Sequence, residues 1–274
     1  MHRFFVSPDV LAQASQSPLR RLMLPAAVAH QVRDVLRLTP AEHVVLLDNS
    51  GDEIEARIVH AGRTGVEVEI LERRRGSDES CLRLILYQGM LKSARFEWVL
   101  EKGTELGVSA FVPLRCQRSQ AGLETLGPTK VQRWRRILQE AAEQCGRARI
   151  PDLLPACSLP QALAGLPADA LKVMAWEQER KLSMRSALHS RRRQVRQALL
   201  RGPVTVALFI GPEGGLTPEE VALARQHGAL IVSLGPRILR AETAALVAAA
   251  NLLYEYEDDH DDQEQPAQES QRRD

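Results

Sequence analysis

An α/β fold with a mostly parallel sheet, preceded by a smaller β-rich domain, is what this 274-residue sequence predicts. Three observations carry the prediction. Residues 1 to about 72 show apolar alternation in short runs separated by turn sequences, the pattern of a small β-barrel. From Leu82 onward, short apolar runs alternate with longer stretches of helical periodicity, which implies parallel strands linked by helices. Between them lies a stretch that is polar throughout, residues 73–80, and reads as a linker.

In the first region His43-Val44-Val45-Leu46-Leu47-Asp48 and Val66-Glu67-Val68-Glu69-Ile70 read as strands. Asp48-Asn49-Ser50-Gly51-Asp52 and Gly62-Arg63-Thr64-Gly65 read as turns. One helix interrupts them, Pro25 to Leu38, where Val28, Val32, Val35 and Leu36 share a face and His30, Arg33, Asp34 and Arg37 lie opposite. The later region, residues 81–256, is predicted to hold strands at Leu82–Tyr87, Ala110–Pro113, Leu171–Trp176, Val204–Ile210 and Leu230–Leu234. Its clearest helices are Arg95–Leu106, Pro128–Gln144, Pro218–His227 and Ala241–Tyr256.

The composition is that of an ordinary globular chain, with 44% hydrophobic and 26% charged residues. Charged residues interrupt every apolar run long enough to consider as a membrane span, and the start MHRFFVSPDV lacks a secretory h-region, so a cytoplasmic protein is expected. Cys81, Cys116, Cys145 and Cys157 make no CxxC pair and the seven histidines form no HExxH motif, so no metal is expected. The net charge of +1 hides a polarity: residues 255–274 carry −7, leaving +8 on residues 1–254. Residues 257–274 are expected to form a disordered acidic tail. The basic remainder suits a phosphate-rich partner, although a solvated surface has the same arithmetic.

Two stretches point to chemistry. In VTVALFIGPEGGLTPEE, residues 204–220, an apolar strand runs into Gly211-Pro212-Glu213-Gly214-Gly215 and then a helix whose start is marked by Thr217, Pro218 and Glu220 as a capping box. Glycines there let backbone amides approach a ligand at the carboxyl end of a strand, or simply make the turn. The loop has neither the Lys-Ser/Thr of a P-loop nor GxGxxG spacing. The second stretch, SLGPRILRAET at 233–243, crowds Arg237, Arg240, Glu242 and Thr243 around a Gly235-Pro236 turn, either as an anion site or as an exposed charge pair.

These two stretches together resemble the C-terminal motifs of the SPOUT methyltransferases, most closely the ribosomal small subunit methyltransferase E family, which methylates N3 of a uridine in 16S rRNA. The start MHRFFV, HQVRDVLR at 30–37, EKGTELGV at 101–108 and EAAEQCGR at 140–147 resemble family signatures too. Gly103 departs from the pattern, the family more often having Ala there. The resemblance implies a PUA-like RNA-binding barrel over 1–72, a SPOUT domain over 81–256 with a C-terminal trefoil knot, a homodimer, and S-adenosylmethionine as cofactor. The implied cofactor residues are Ile210, Gly211, Glu213, Gly214, Gly215, Leu234, Gly235, Ile238, Leu239, Arg240 and Thr243. Met174 either packs on the adenosyl group or belongs to the core.

Methylation at N3 requires loss of a proton, so Arg240 is expected to stabilise the uracil anion and Glu242 to act either as general base or as a partner orienting Arg240. The target uridine must be unpaired or splayed out, its phosphates held by the protein. Arg3, Arg20, Arg21, His30, Arg33 and Arg37 are candidate RNA contacts in the barrel, extended by Lys92, Arg95, Lys102, Arg118 and Arg147. With only 4% aromatic residues, shape and phosphate reading should dominate over base stacking. The substrate is expected within the small ribosomal subunit. The competing reading is a non-catalytic RNA-binding or assembly factor.

Overall fold

The computed structural model describes residues 1–15, 19–76, 81–119 and 126–257, and its contacts divide the chain into two units. One comprises Met1–Glu79 with Arg136–Pro151, the other Ser80–Arg135 with Asp152–Asp274. The acidic tail, from residue 258, lies outside the described residues, as do residues 77–80 of the expected linker.

The first unit holds β1 (His2–Phe5), α1 (Pro8–Ser15), β2 (Arg21–Met23), α2 (Ala26–His30), β3 (His43–Leu47), β4 (Asp52–Gly62) and β5 (Gly65–Arg75). Its sheet runs β1-β3-β4-β5-β2, parallel between β1 and β3 and antiparallel elsewhere. β5 continues through Arg75, so residues 73–75 are strand rather than linker, held in register by β4. The helix predicted over Pro25–Leu38 is shorter and changes character. After α2 the chain takes a π-helical turn, Gln31–Val35, closed by Leu36 N–H donating to Gln31 O at 2.9 Å, and ends at Arg37 with φ +56°.

The run HVVLL of β3 reads as continuous rather than alternating because both of its faces are covered. Val44 and Leu46 join the core of Phe4, Leu22, Val32, Ile54 and Val68, while Val45 and Leu47 pack with Phe5, Ala142 and Ala148. That second contact explains why Arg136–Pro151 belongs with this unit although it falls within 81–256. Glu143 accepts a hydrogen bond from Phe5 N at 2.9 Å, and Asn49 Oδ1 accepts one from Ile150 N at 2.7 Å.

The second unit holds β6 (Leu82–Gly89), α3 (Ser93–Leu106), β7 (Ala110–Arg115), the start of α4 (Pro128–Cys145), β8 (Asp152–Leu153), β9 (Cys157–Ser158), α5 (Leu159–Gly165) and β10 (Leu171–Ala175). It continues with α6 (Met184–Leu199), β11 (Val204–Ile210), α7 (Pro218–Gln226), β12 (Leu230–Val232) and α8 (Ala241–Glu257). The seven strands are all parallel, ordered β12-β10-β11-β6-β7-β8 with β9 also on β7. Burial on both faces makes β11 apolar along its length. At Gly103 in α3 an added Cβ would lie 2.8 Å from the Phe111 ring, so the aromatic ring occupies the space an alanine methyl would need. The last crossover brings α8 back over α3, β6 and β11. Ser233, just past β12, is bonded on both sides to the segment after β10: its N–H donates to Leu182 O in the loop at 2.9 Å and its carbonyl accepts from Met184 N, at the start of α6, at 2.9 Å.

Candidate active site

Inserting β11 between β10 and β6 sets the carboxyl ends of β10, β11 and β12 side by side, the position where open parallel sheets bind ligands. The loops leaving these ends surround a cleft of about 450 Å³, a volume suited to a small-molecule cofactor. β11 delivers Ile210 and the loop Gly211–Gly215. β12 delivers Ser233 to Arg240, and β10 delivers Trp176, Glu177 and Arg180.

The glycine loop is fixed at its far end by α7. Thr217 Oγ1 accepts from Glu220 N, and the Glu220 carboxylate accepts from Thr217 N at 2.8 Å, completing the predicted capping box. Glu220 is buried and also accepts from Gln117 N at 2.9 Å, which ties the loop after β7 to the same helix start. At the near end, Gln88 is fully buried beside Ile210 and its side-chain amide donates to Gly89 O at 3.0 Å. A Cβ at Gly89 would fall 2.4 Å from Pro212 N, so only glycine lets the loop backbone lie this close to β6. Gly215 has φ +73°, and a Cβ there would meet Glu177 Oε1 at 2.7 Å.

Ten of the predicted cofactor residues line this one cleft: Ile210, Gly211, Glu213, Gly214, Gly215, Leu234, Gly235, Ile238, Leu239 and Arg240. Ile238 is 79% exposed, an apolar side chain left uncovered at a concave surface. Two predicted cofactor residues fall elsewhere. Met174 is fully buried in the core with Phe209, Leu216 and Ile231, as the plain core reading of it has it, and Thr243 lies in the first turn of α8 outside the cleft lining.

Glu242 sits in that first turn too, buried and likewise outside the cleft lining, and its ion-pair partner among the described residues is Arg95 rather than Arg240. Arg95, on α3, places Nε 3.6 Å from Glu242 Oε1 and Nη1 3.3 Å from Glu213 Oε1, thereby joining the glycine loop to α8. Glu242 Oε2 is buried with no hydrogen-bond partner among the described residues. Reading by residue type placed Arg95 on an RNA track and missed this bridge, because sequence spacing does not show that α3 and α8 pack together. Trp176, Glu177 and Arg180 were missed as well. Their signal was positional, since they directly follow the β10 strand.

Of the remaining RNA candidates, Arg20, His30, Arg37, Lys92 and Arg118 are exposed. Arg118 donates to Gly214 O at 3.3 Å, at the edge of the loop. Several others have internal partners. Arg3 and Arg74 both bond the buried Glu53, at 3.1 and 2.8 Å. Burial alone would raise the Glu53 carboxyl, but the hydrogen bonds from Arg74 and Arg3 outweigh it and hold the group below its ordinary range. His30 and Arg33 converge on Asp34, each at 2.6 Å, and these hydrogen bonds, Arg33 first, hold Asp34 well below the usual carboxylate range. Lys102 pairs with Glu101 and Glu105 on its own helix. Arg21 and Arg147 are half-buried. No cluster able to hold a metal ion occurs among the described residues.

Comparison with known proteins bears on what such a cleft holds. The chain matches the model of an RNA methyltransferase domain over residues 78–253 and that of an RNA methyltransferase PUA domain over residues 30–71. It is 29% identical to the ribosomal RNA small subunit methyltransferase E of Bacillus subtilis, covering 94% of this chain and 98% of that one. Among solved structures it superposes on the ribosomal RNA small subunit methyltransferase E of Neisseria gonorrhoeae bound to S-adenosylmethionine with TM-score 0.77, at 29% identity over 93% of this chain and 97% of that one. A Legionella pneumophila methyltransferase with bound S-adenosylmethionine gives TM-score 0.76 at 31% identity, with coverage of 93% and 97%.

Proposed function

The chain belongs to the ribosomal RNA small subunit methyltransferase E family, S-adenosylmethionine-dependent rRNA methyltransferases, and from that premise we propose that it methylates N3 of one uridine in 16S rRNA. The observation that carries the reading is the cleft at the ends of β10, β11 and β12. Its walls include apolar Ile210, Leu234, Ile238 and Leu239, and its charged side chains are Arg95, Arg180, Arg237 and Arg240 with Glu177 and Glu213. The residues fit the cofactor: the glycine loop leaves backbone within reach where a side chain would fill the space, and the exposed Ile238 offers a face for an adenine ring.

When bound, S-adenosylmethionine supplies a methyl group on a sulfonium, an electrophile that needs only a nucleophile held in line. Uracil N3 becomes that nucleophile by losing its proton. Arg240, exposed at the cleft, stabilises the negative charge that then spreads onto the flanking carbonyl oxygens. Glu242 takes the proton. Its Oε2, buried and without a partner among the described residues, is a costly arrangement that a substrate N–H would relieve, and Arg95 steadies the other oxygen.

The finer architecture follows the same reading. We place a PUA-like barrel at residues 1–72, supported by the five-stranded sheet whose side chains build the core from Phe4 to Val68, and the SPOUT domain at 81–256. A trefoil knot is supported by the hydrogen bonds that hold Ser233 against Leu182 and Met184. A homodimer is supported by Trp98, Leu106, Val247 and Tyr254, apolar side chains exposed on the packed helices α3 and α8. The substrate is 16S rRNA within the small ribosomal subunit, which places the enzyme in the cytoplasm. The exposed Arg20, Arg37, Lys92 and Arg118 are its phosphate contacts.

The test is transfer of label from S-adenosylmethionine to unmodified small subunits, with the product nucleoside identified by mass. The expected product is 3-methyluridine at one site, and label on any other nucleoside overturns the assignment. Glu242→Gln should lower kcat by about 10²- to 10⁴-fold while cofactor affinity holds. Unchanged kcat would remove Glu242 as the base.

A further inference from the structure

The stretch RKLSMRSALHSRRRQVRQALLR, residues 180–201, carries eight Lys or Arg and no Asp or Glu, and none of these residues was among those the sequence marked for RNA. Most of it is α6, whose buried side, Met184, Ala187, Leu188 and Val195, faces the unit's interior. Arg185, His189 and Arg193 recur at i, i+4 and i+8, so they form one exposed stripe with about 6 Å between successive side chains, and Arg191 is exposed beside it. Holding so many like charges on one helix costs free energy through self-repulsion, and an anionic partner offsets that cost.

The stripe starts at the active-site cleft. Arg180 lines that cleft and also an adjoining depression of about 510 Å³, where Lys181, Ser183 and Ser186 meet Ser233 and Gly235. Gly235 and Ser233 likewise belong to both. A polyanion that presents one base to the cleft therefore meets Arg180 and Lys181 and then the exposed arginines of α6.

We propose that the exposed face of α6 is an RNA-binding surface that holds the phosphate backbone flanking the target nucleotide. The proposal rests on the rRNA methylation reading and adds the path the strand takes on leaving the cleft. A single-stranded backbone is the occupant that fits: it supplies repeated unit charges, needs no apolar pocket, and matches the exposed Arg185, Arg191 and Arg193 on a segment with no acid of its own.

The test uses the full-length protein carrying Arg185→Gln, Arg191→Gln and Arg193→Gln together, with binding to unmodified small ribosomal subunits measured from 0.05 to 0.3 M salt. Three lost phosphate contacts lower the slope of log K against log salt by about 2 and weaken binding about ten- to a hundred-fold at 0.1 M, with S-adenosylmethionine affinity unchanged. The triple Arg→Lys variant keeps the charge and should restore the slope. An unaltered slope in a variant that still binds the cofactor overturns the proposal, and would mean that these arginines serve another partner such as the chain's own acidic C-terminal segment. In unsubstituted protein, cross-linking to RNA should yield peptides from residues 184–199; their absence from a cross-linked complex also overturns it. If the unsubstituted protein binds no small subunits, the methylation reading falls and takes the proposal with it.

Discussion

At Gly89 the strand β6 and the glycine loop approach so closely that a methyl group has nowhere to go. Its Cβ would stand 2.4 Å from a backbone nitrogen, which cannot swing aside as a long side chain can. Gly89→Ala should therefore displace Pro212 and the cleft loop, weakening S-adenosylmethionine binding at least about ten-fold by calorimetry, at an overpacking cost of about 1–3 kcal/mol. Affinity unchanged would mean that the loop does not seat the cofactor. Glu53 makes a different demand on its surroundings. Its hydrogen bonds to Arg74 and Arg3 favour the ionised form in the folded state, so its contribution is complete above the ordinary value of 4.5 and is lost as pH falls through the lower folded-state value. Acid unfolding followed by circular dichroism should show stability declining below pH 4.5, and Glu53→Gln should flatten that decline. A decline of the same steepness in Glu53→Gln would assign it to other carboxylates.

Among the elements, the start of α7 couples local helix chemistry to the site. Pro218 and the Thr217–Glu220 box end the glycine loop at a fixed residue, and Glu220 carries the restraint across to Gln117. Thr217→Ala should cost about 1 kcal/mol in chemical unfolding, whereas Thr217→Ser should cost little, since the cap needs only the hydroxyl. Equal losses for both would show that the methyl group rather than the cap matters. The π-helical turn after α2 and the double-faced β3 show the opposite relation, in which packing overrides periodicity. The run of Pro25–Leu38 predicts one helix, yet the chain widens at Gln31–Val35 and turns at Arg37. α6 was absent from the predicted helices because its apolar positions are few among arginines, although Met184, Ala187, Leu188 and Val195 suffice to bury it.

Over the whole molecule, charge is distributed unevenly, and its consequence is long-ranged. Removing residues 257–274 takes away eight acids and two arginines, changing the formal charge from +1 to +7. The truncated protein should bind rRNA more tightly at low salt, with the advantage fading as the Debye length shortens from about 10 Å at 0.1 M to about 3 Å at 1 M. Equal affinities at every salt concentration would show that the tail does not shield the basic surface. The parallel sheet, the capped helix after β11 and the two loops of the cleft were legible in the sequence because apolar runs, caps and glycine turns are local signals, set by neighbours a few residues away. The family resemblance carried by two short stretches named ten cofactor candidates that the fold brings to one cleft. What the sequence by itself determined, then, is the class of fold and the stretches that carry chemistry. Only the tertiary structure decided that Arg95 bridges Glu213 and Glu242, that Met174 is core, that Arg136–Pro151 joins the N-terminal unit, and that Arg180, just before α6, lines the cleft. Each of these depends on which distant elements pack together, and strand order and crossover paths are not written in the spacing of nearby residues.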